Sequence, residues 1–143
     1  MKTFSLEEAQ SMLPVLESLL CRAMDAKATA DQREEELQQL SQRIFFAGGM
    51  MVDLARTGRQ RAEQQTAIQQ TKDALEEIQA IGVQVKDLES GLLDFPCQLG
   101  EDIVLLCWKM GEERITHWHT LDAGFQGRQP LDSRFLKKQP PPN

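Results

Sequence analysis

Two histidines of this chain, His117 and His119, are separated by a single residue in the sequence HWH. If this segment is a β-strand, both imidazole rings project from the same face of the sheet, which suits two ligands of one metal ion. Glu112, Glu113 and Asp122 are close in sequence and would supply oxygen ligands. An HxH pair alone is not specific, so the cofactor is unknown from the sequence; a divalent metal ion with His117 and His119 as its nitrogen ligands is one interpretation.

Two other interpretations of the histidines stay open at this point. In the first, one histidine is a hydrogen-bonded residue of the core or of an interface, and the other is exposed. In the second, one histidine acts as a general base.

Strand register decides whether Cys107 joins the histidines. A two-residue type II′ turn at Gly111-Glu112 would place Cys107 opposite Thr116, with its side chain pointing away from His117 and His119. A shift of the register by one residue would reverse this conclusion.

The segment after the histidines, Asp122 to Pro130, reads DAGFQGRQP and is rich in turn residues. Glycine loops expose backbone amides, and a guanidinium beside them favours a carboxylate or phosphate. We therefore expect a small anionic ligand at Arg128, with Glu112 lining the same site. In the alternative interpretation the glycines only turn the chain, and Arg128 pairs with an acid such as Asp94 or Glu112.

Three further acids, Asp87, Glu89 and Asp94, surround the turn-like dipeptide Ser90-Gly91. Paired carboxylates can act as acid and base, but nothing in this spacing shows that the three converge. Acids beside turns are usually solvated, and we expect that here.

Composition and charge narrow the range of partners. The net charge of -6 and the pI near 4.9 argue against nucleic acid as a partner, because phosphate binding needs clustered Lys and Arg.

The first ten residues carry acids where a signal peptide would be apolar, and the longest aliphatic run, Ile103 to Trp108, is too short to span a bilayer. Three cysteines with apolar neighbours suggest buried thiols in a reducing compartment. These features predict a cytoplasmic protein that does not enter a membrane.

The first eighty residues show helical periodicity. Ser5 and Glu8 form a capping box, and an apolar stripe follows, interrupted by Pro14, where we expect a kink or a break. A second helix is expected from Ala30 or Asp31 to about Arg56, with Gly48-Gly49 either packed closely or breaking it. A third is expected from about Gln60 to Ala80, with Gly58 forming the turn before it. The three would form an antiparallel bundle or assemble as a coiled coil between subunits.

After Gly82 the pattern changes to short strands bounded by turns. We expect strands at Val83 to Lys86, Leu92 to Cys97, Ile103 to Lys109 and Arg114 to His119, with the third strand central and Pro96 at a strand end or edge. The fold class is therefore α+β: three long amino-terminal helices followed by a small antiparallel sheet of three or four strands. Residues 1–130 would form one domain, with helices at about 5–81 and sheet and glycine loop at about 82–130, and residues 131–143 a partly disordered tail.

Four segments, FSLEEAQSMLP, GVQVKDLESGLLDFP, LCWKMGEERITHWH and GFQGRQP, carry a resemblance to a known family. They span nearly the whole chain and resemble the bacterial family 2203 of the domains of unknown function. The resemblance implies no activity, cofactor or catalytic residue, because the family has no established function.

Two hypotheses of function follow from these patterns. The first is a small interaction or scaffold protein that forms a homo-oligomer through its helical stripes. The second is a metal- or anion-dependent enzyme or ligand-binding domain. Its site would lie where the strand HWH meets the glycine loop, lined by His117, His119, Glu112 and Arg128.

Overall fold

The computed structural model describes residues 2–46 and 54–136. Two long helices, α1 (Leu6–Phe46) and α2 (Leu54–Ile81), precede an antiparallel sheet and a short helix, α3 (Ser133–Leu136). The sheet has five strands in the order of the chain: β1 (Gln84–Asp87), β2 (Leu92–Leu99), β3 (Asp102–Lys109), β4 (His117–His119) and β5 (Gln129–Pro130). The α+β class is confirmed, but three long helices and three or four strands were expected.

The predicted capping box starts α1 and attaches it to the sheet. The amide of Ser5 donates to Glu8 Oε1 at 3.2 Å, and the amide of Glu8 donates to Ser5 Oγ at 3.1 Å. The preceding residue, Phe4, packs edge-on against Phe95 with 6.0 Å between ring centroids, and its amide donates to the carbonyl of Pro96 at 2.7 Å. The first turn of α1 is therefore fixed against β2.

The expected boundary between a first and a second helix near Ala30 is wrong, because α1 continues through it. The apolar stripe does not end where the large side chains become sparse; it continues as Ala23, Ala26 and Ala30, all buried, beside Ala67 and Ala74 of α2. Alanine is the best helix former and lets two helices approach closely, so nothing in this stretch favours a break.

Two residues expected to interrupt helices lie inside them. Pro14 is an exposed residue of α1, between the buried Leu13 and Leu16, and the helix continues through it. Gly58 was expected to form a turn, but α2 begins at Leu54 and contains it. The expectations for Gly48-Gly49 concern residues outside the described ranges.

Strand β3 is the central strand, as predicted, and its residues 104–108 are all buried. Side chains alternate between the two faces of the sheet. One face, which we call the helix face, contributes to the same hydrophobic core as α1: Leu93, Phe95, Cys97, Val104, Leu106, Trp108 and Trp118. The opposite face, which we call the outer face, carries Asp94, Leu105, Cys107, His117 and His119.

Pro96 lies within β2 rather than at its end, although its missing N–H is accommodated as expected. It pairs with Leu105 of β3, and on the other side β1 pairs only as far as Asp94. On that side the carbonyl of Pro96 accepts a hydrogen bond from the amide of Phe4. The nitrogen of Pro96 points to the same side, where no strand pairs with it, so its missing N–H leaves no ladder bond unmade.

The end of the described chain is packed rather than loose. Phe135 of α3 is buried and lies 5.6 Å from the Trp118 ring, centroid to centroid. The first residues of the expected tail thus belong to the core, and the disorder expected at the last residues concerns residues outside those described. In residues 2–46 and 54–136, no helix is long and apolar enough to cross a membrane.

Candidate metal centre

Register brings three chemically active side chains together on the outer face. Cys107 pairs with Asp94 of β2 on one side and with His117 of β4 on the other, and Leu105 pairs with His119. Directly opposed residues share a face, so Cys107 points the same way as the histidines. The expectation that it points away from them is wrong.

The physical reason is the connection between β3 and β4. It is longer than a two-residue turn, because β3 ends at Lys109 and β4 begins only at His117. The amide of Ile115 donates to Gln10 Oε1 of α1 at 2.7 Å, and Trp108 Nε1 donates to the carbonyl of Glu112 at 2.9 Å. These two contacts attach the connection to α1 and to Trp108, and the register of β4 differs by one residue from the expected one, with Cys107 opposite His117.

Asp94, Cys107 and His119 form the only group of three or more metal-ligand side chains found in the described part of the chain. One carboxylate oxygen, the thiol sulfur and one ring nitrogen all lie within 4.8 Å of one another. All three residues are buried, with at most 3% of their surface exposed. Tetrahedral zinc with bonds of about 2.0 to 2.3 Å separates its ligand atoms by about 3.3 to 3.8 Å, so small side-chain shifts would complete such a site.

Hydrogen bonds fix the proton on one nitrogen of His119. Nδ1 lies 2.8 Å from the carbonyl oxygen of Thr120, which can only accept, so Nδ1 donates. Nε2 then carries the lone pair of the neutral ring, and it lies 3.1 Å from Asp94 Oδ1. A carboxylate oxygen and a lone pair meet only with a cation between them, which is either a proton or a metal ion. A histidine held by a carbonyl in this way is the usual arrangement around a metal ligand.

Burial also shapes the acidity of the other two groups. It raises the pKa of Asp94, and the contact with His119 only partly opposes this effect. Burial likewise raises the pKa of the Cys107 thiol to about 11, and the negative charge of Asp94 adds to the increase. In the absence of a metal ion, burial therefore favours the protonated forms of Asp94 and Cys107. With a divalent ion, one carboxylate, one thiolate and a neutral imidazole sum to zero charge, which suits a buried position.

The same geometry argues against a cysteine nucleophile. In a catalytic triad the carboxylate holds one ring nitrogen, and the other nitrogen removes the proton of the nucleophile. Here Asp94 and the Thr120 carbonyl occupy both nitrogens of His119, so neither is free for Cys107. A thiol with a pKa of about 11 is also a poor nucleophile near neutral pH.

A cavity of about 290 Å³ opens beside the three residues. It lies between the outer face of the sheet and the segment Leu121 to Phe125, and all three candidate ligands line it. Asp122 is at the exposed rim, where the hydroxyl of Thr120 donates to Oδ1 at 2.8 Å and holds the pKa of this carboxyl below its ordinary value.

His117, the second predicted metal ligand, does not belong to the buried group. Its Nδ1 lies 2.7 Å from Arg128 Nη2 and 2.8 Å from Thr116 Oγ1. Because a guanidinium can only donate, Nδ1 is the acceptor and the other nitrogen of the neutral ring carries the proton. The two histidines share a face, as expected, but they contact different partners.

Arg128 and Glu112, the predicted anion site, contact each other. Arg128 Nη2 donates to Glu112 Oε2 at 2.7 Å, and the guanidinium lies over the Phe125 ring, 4.7 Å from its centroid. This is the ion pair that the alternative interpretation of the sequence expected, and binding of an anion here stays a prediction. Glu113, another suggested oxygen ligand, is exposed.

Sequence reasoning missed Asp94. Its position near Asp87, Glu89 and the turn-like Ser90-Gly91 predicts a solvated acid, yet it lies inside β2 and is 2% exposed. A signal was present: Asp94 interrupts the run LLDFPC, and an acid flanked by apolar residues in a strand faces either solvent or a specific partner. Only the tertiary structure shows that the segment Leu121 to Phe125 lies over this face.

Comparisons with known proteins give a family but no activity. Neither the curated proteins nor the solved structures contain a significant match to this chain. A family model described as "Uncharacterized conserved protein (DUF2203)" matches residues 2–131. That span contains both long helices, the whole sheet, the buried group and its cavity. The chain therefore belongs to the DUF2203 family of uncharacterised conserved proteins.

Proposed function

We propose that this protein is a metal-dependent enzyme or ligand-binding protein that holds a divalent transition-metal ion at Asp94, Cys107 and His119. The observation that carries the proposal is the convergence of a carboxylate, a thiol and an oriented imidazole, all buried, beside a cavity. Thiolate and imidazole donors favour zinc over magnesium or calcium. Three protein ligands leave a fourth position open, as in catalytic rather than structural zinc sites, and the cavity provides access to it.

Metal content of protein purified without a histidine tag tests this proposal. We expect an equimolar transition metal in the wild type and its loss in Asp94→Asn, Cys107→Ala and His119→Gln. His117→Gln is the matched control, because it changes the same residue type on the same strand and face but should retain the metal. Circular dichroism excludes unfolding as the cause. Wild-type protein that takes up no zinc or cobalt, or equal metal loss in the His117 variant, would contradict the proposal.

Self-association is a second candidate function, favoured by the outer part of the helical hairpin. We call this part the arm: residues 31–43 of α1 and 55–66 of α2. None of these residues is buried. Polar side chains join its two helices, for example Arg33 Nε to Glu63 Oε2 at 2.8 Å and Gln64 Nε2 to Glu34 Oε2 at 2.5 Å. Helical stability in proteins comes mainly from packing of an apolar face, so an arm without a core is expected to need a further contact.

The charges of the arm point to a second copy of the chain as the contact. Residues 31–36 of α1 contain four acids and one arginine, whereas residues 56–61 of α2 contain three arginines and no acid. Two arms arranged antiparallel would place the acidic stretch of each against the basic stretch of the other.

Sedimentation tests self-association. We expect a dimer at micromolar concentration that dissociates at high salt and in Arg59→Glu/Arg61→Glu, since screening or reversal of charge weakens such contacts. Lys72→Glu, on α2 outside the arm, is the control. A wild-type monomer at all concentrations would contradict self-association and would leave the metal proposal untouched.

A further inference from the structure

The cavity beside the metal site is also lined by a cation, Lys86 of β1, which lies next to an irregularity of the sheet. The β1–β2 ladder pairs Val85 with Leu93 but Asp87 with Leu92, so Lys86 is the extra residue of a β-bulge. Bulges redirect a side chain and are common next to active sites. Val85 packs against the core, and alternation places Lys86 on the other side of the strand, where it lines the cavity.

The ammonium of Lys86 is available to a ligand. Its positive charge acts on Asp94, so the two groups are close, yet Lys86 forms no salt bridge with any residue in 2–46 or 54–136. Asp122, the other charged residue at the rim, already accepts a hydrogen bond from Thr120.

The remaining walls of the cavity are mostly apolar. They are contributed by the sheet and by the covering segment, and consist of Leu92, Leu105, Leu121, Ala123 and Phe125. Two of these side chains are among the exposed large hydrophobic residues of the chain, Leu121 at 58% and Phe125 at 39%. An occupant with an apolar group would cover them, which would remove an unfavourable exposure to water.

We propose that the cavity binds a small organic carboxylate, with the carboxylate at the open position of the metal beside Lys86 and the apolar group against Leu105, Leu121 and Phe125. This inference rests on the proposed metal site. A metal ion and a lysine together recognise an anion, and the apolar walls select one that carries a hydrocarbon group.

Size and charge favour a small monoanion. A volume of about 290 Å³ is at the lower limit for ligand pockets, which suits a small organic acid better than a nucleotide. The metal and its ligands sum to zero charge, and Lys86 supplies one positive charge, so a second negative charge on the ligand would have no partner. A monoanion therefore matches the site better than a phosphate ester.

Cobalt-substituted protein gives a direct readout of ligand binding, because a ligand that enters the coordination sphere changes the visible spectrum. We expect saturable changes with butyrate and with benzoate, tighter binding of benzoate than of acetate, and no change with benzamide. Lys86→Met should weaken benzoate binding roughly tenfold, the loss expected for one charge-assisted hydrogen bond. Lys86→Arg should largely retain affinity, and Lys72→Met, a lysine remote from the cavity, should not change it.

Failure of this inference can be told apart from failure of the metal site. If cobalt binds with a thiolate charge-transfer band but carboxylates leave the spectrum unchanged, the ligand class is wrong and the metal site stands. Equal binding by the wild type and Lys86→Met, or equal binding of benzamide and benzoate, would also overturn the inference. Absence of cobalt binding overturns both.

Discussion

The carboxylate of Asp94 and the imidazole of His119 meet across the central strand of the sheet, with Oδ1 and Nε2 3.1 Å apart. The two residues are on β2 and β4, so neither lies on a neighbouring strand of the other, and Cys107 of β3 lies between them. The carbonyl of Thr120 accepts the proton of Nδ1, the opposite nitrogen of the ring. The lone pair on Nε2 and the negative charge of the Asp94 carboxylate therefore face each other. That convergence is the basis of the proposed metal site.

The affinity for zinc should increase with pH over an unusually wide range. A metal ion binds the thiolate, so it must displace the proton of Cys107. Burial raises the pKa of this thiol from 9.0 to about 11. Below the pKa, each pH unit should therefore strengthen apparent binding about tenfold, and the increase should continue past pH 9 toward the thiol pKa of about 11. Competition against a chelator of known affinity measures it. An ordinary thiol would give a plateau near its pKa of 9.0, and such a plateau would disprove the effect of burial.

Removal of the arginine beside His117 should affect stability but not the metal. Arg128→Met leaves Glu112 and His117 without their partner in a partly buried position, at a cost of about 1 to 2 kcal/mol in the free energy of unfolding. The double variant Arg128→Met/Glu112→Gln should lose less than the sum of the single variants. Denaturant unfolding gives these values, and zinc stoichiometry should remain that of the wild type. Loss of zinc in Arg128→Met would show that the two clusters are coupled.

Gly91 should be intolerant of a side chain. It has a φ of 76°, and a Cβ there would lie 2.6 Å from the Cβ of Met110. Gly91→Ala thus combines a strained backbone with a clash and should cost about 2 to 4 kcal/mol. Gly58→Ala is the opposite control, because it lies in α2 with nothing within 4 Å of the added methyl group. It should stabilise the protein by about 0.5 to 1 kcal/mol, and thermal unfolding compares the two variants.

The contact between α1 and the β3–β4 connection should protect one particular amide. Ile115 is 2% exposed and its amide donates to Gln10 Oε1. Gln10→Met removes the acceptor and leaves a buried donor unpaired, so we expect a cost of about 1 to 2 kcal/mol and faster hydrogen exchange at Ile115. Gln69→Met, an exposed glutamine of α2, should change neither. Unchanged exchange at Ile115 in Gln10→Met would mean that another contact holds this connection.

The sequence by itself determined the class of the fold and many of its local features. The capping box at Ser5 and Glu8, the helical periodicity before Gly82 and the apolar run of β3 depend on interactions between near neighbours, and all three are confirmed. Helix number was misjudged for a local reason as well. Alanines at 23, 26 and 30 extend the buried stripe of α1, but their small side chains carry little hydrophobic signal.

The grouping of the candidate site was decided only by the tertiary structure. Alternation along a strand shows that His117 and His119 share a face, but not which residues of other strands oppose them. One tertiary contact joins Ile115 of the β3–β4 connection to Gln10 of α1, 105 residues earlier in the chain. A shift of one residue moves a whole strand to the other face, so the β3–β4 register decides whether the histidines share a face with Cys107, and the β2–β3 register places Asp94 opposite Cys107. Burial of Asp94 likewise depends on the segment Leu121 to Phe125, which lies over the outer face of the sheet. The residues next to Asp94 in the sequence do not predict this contact.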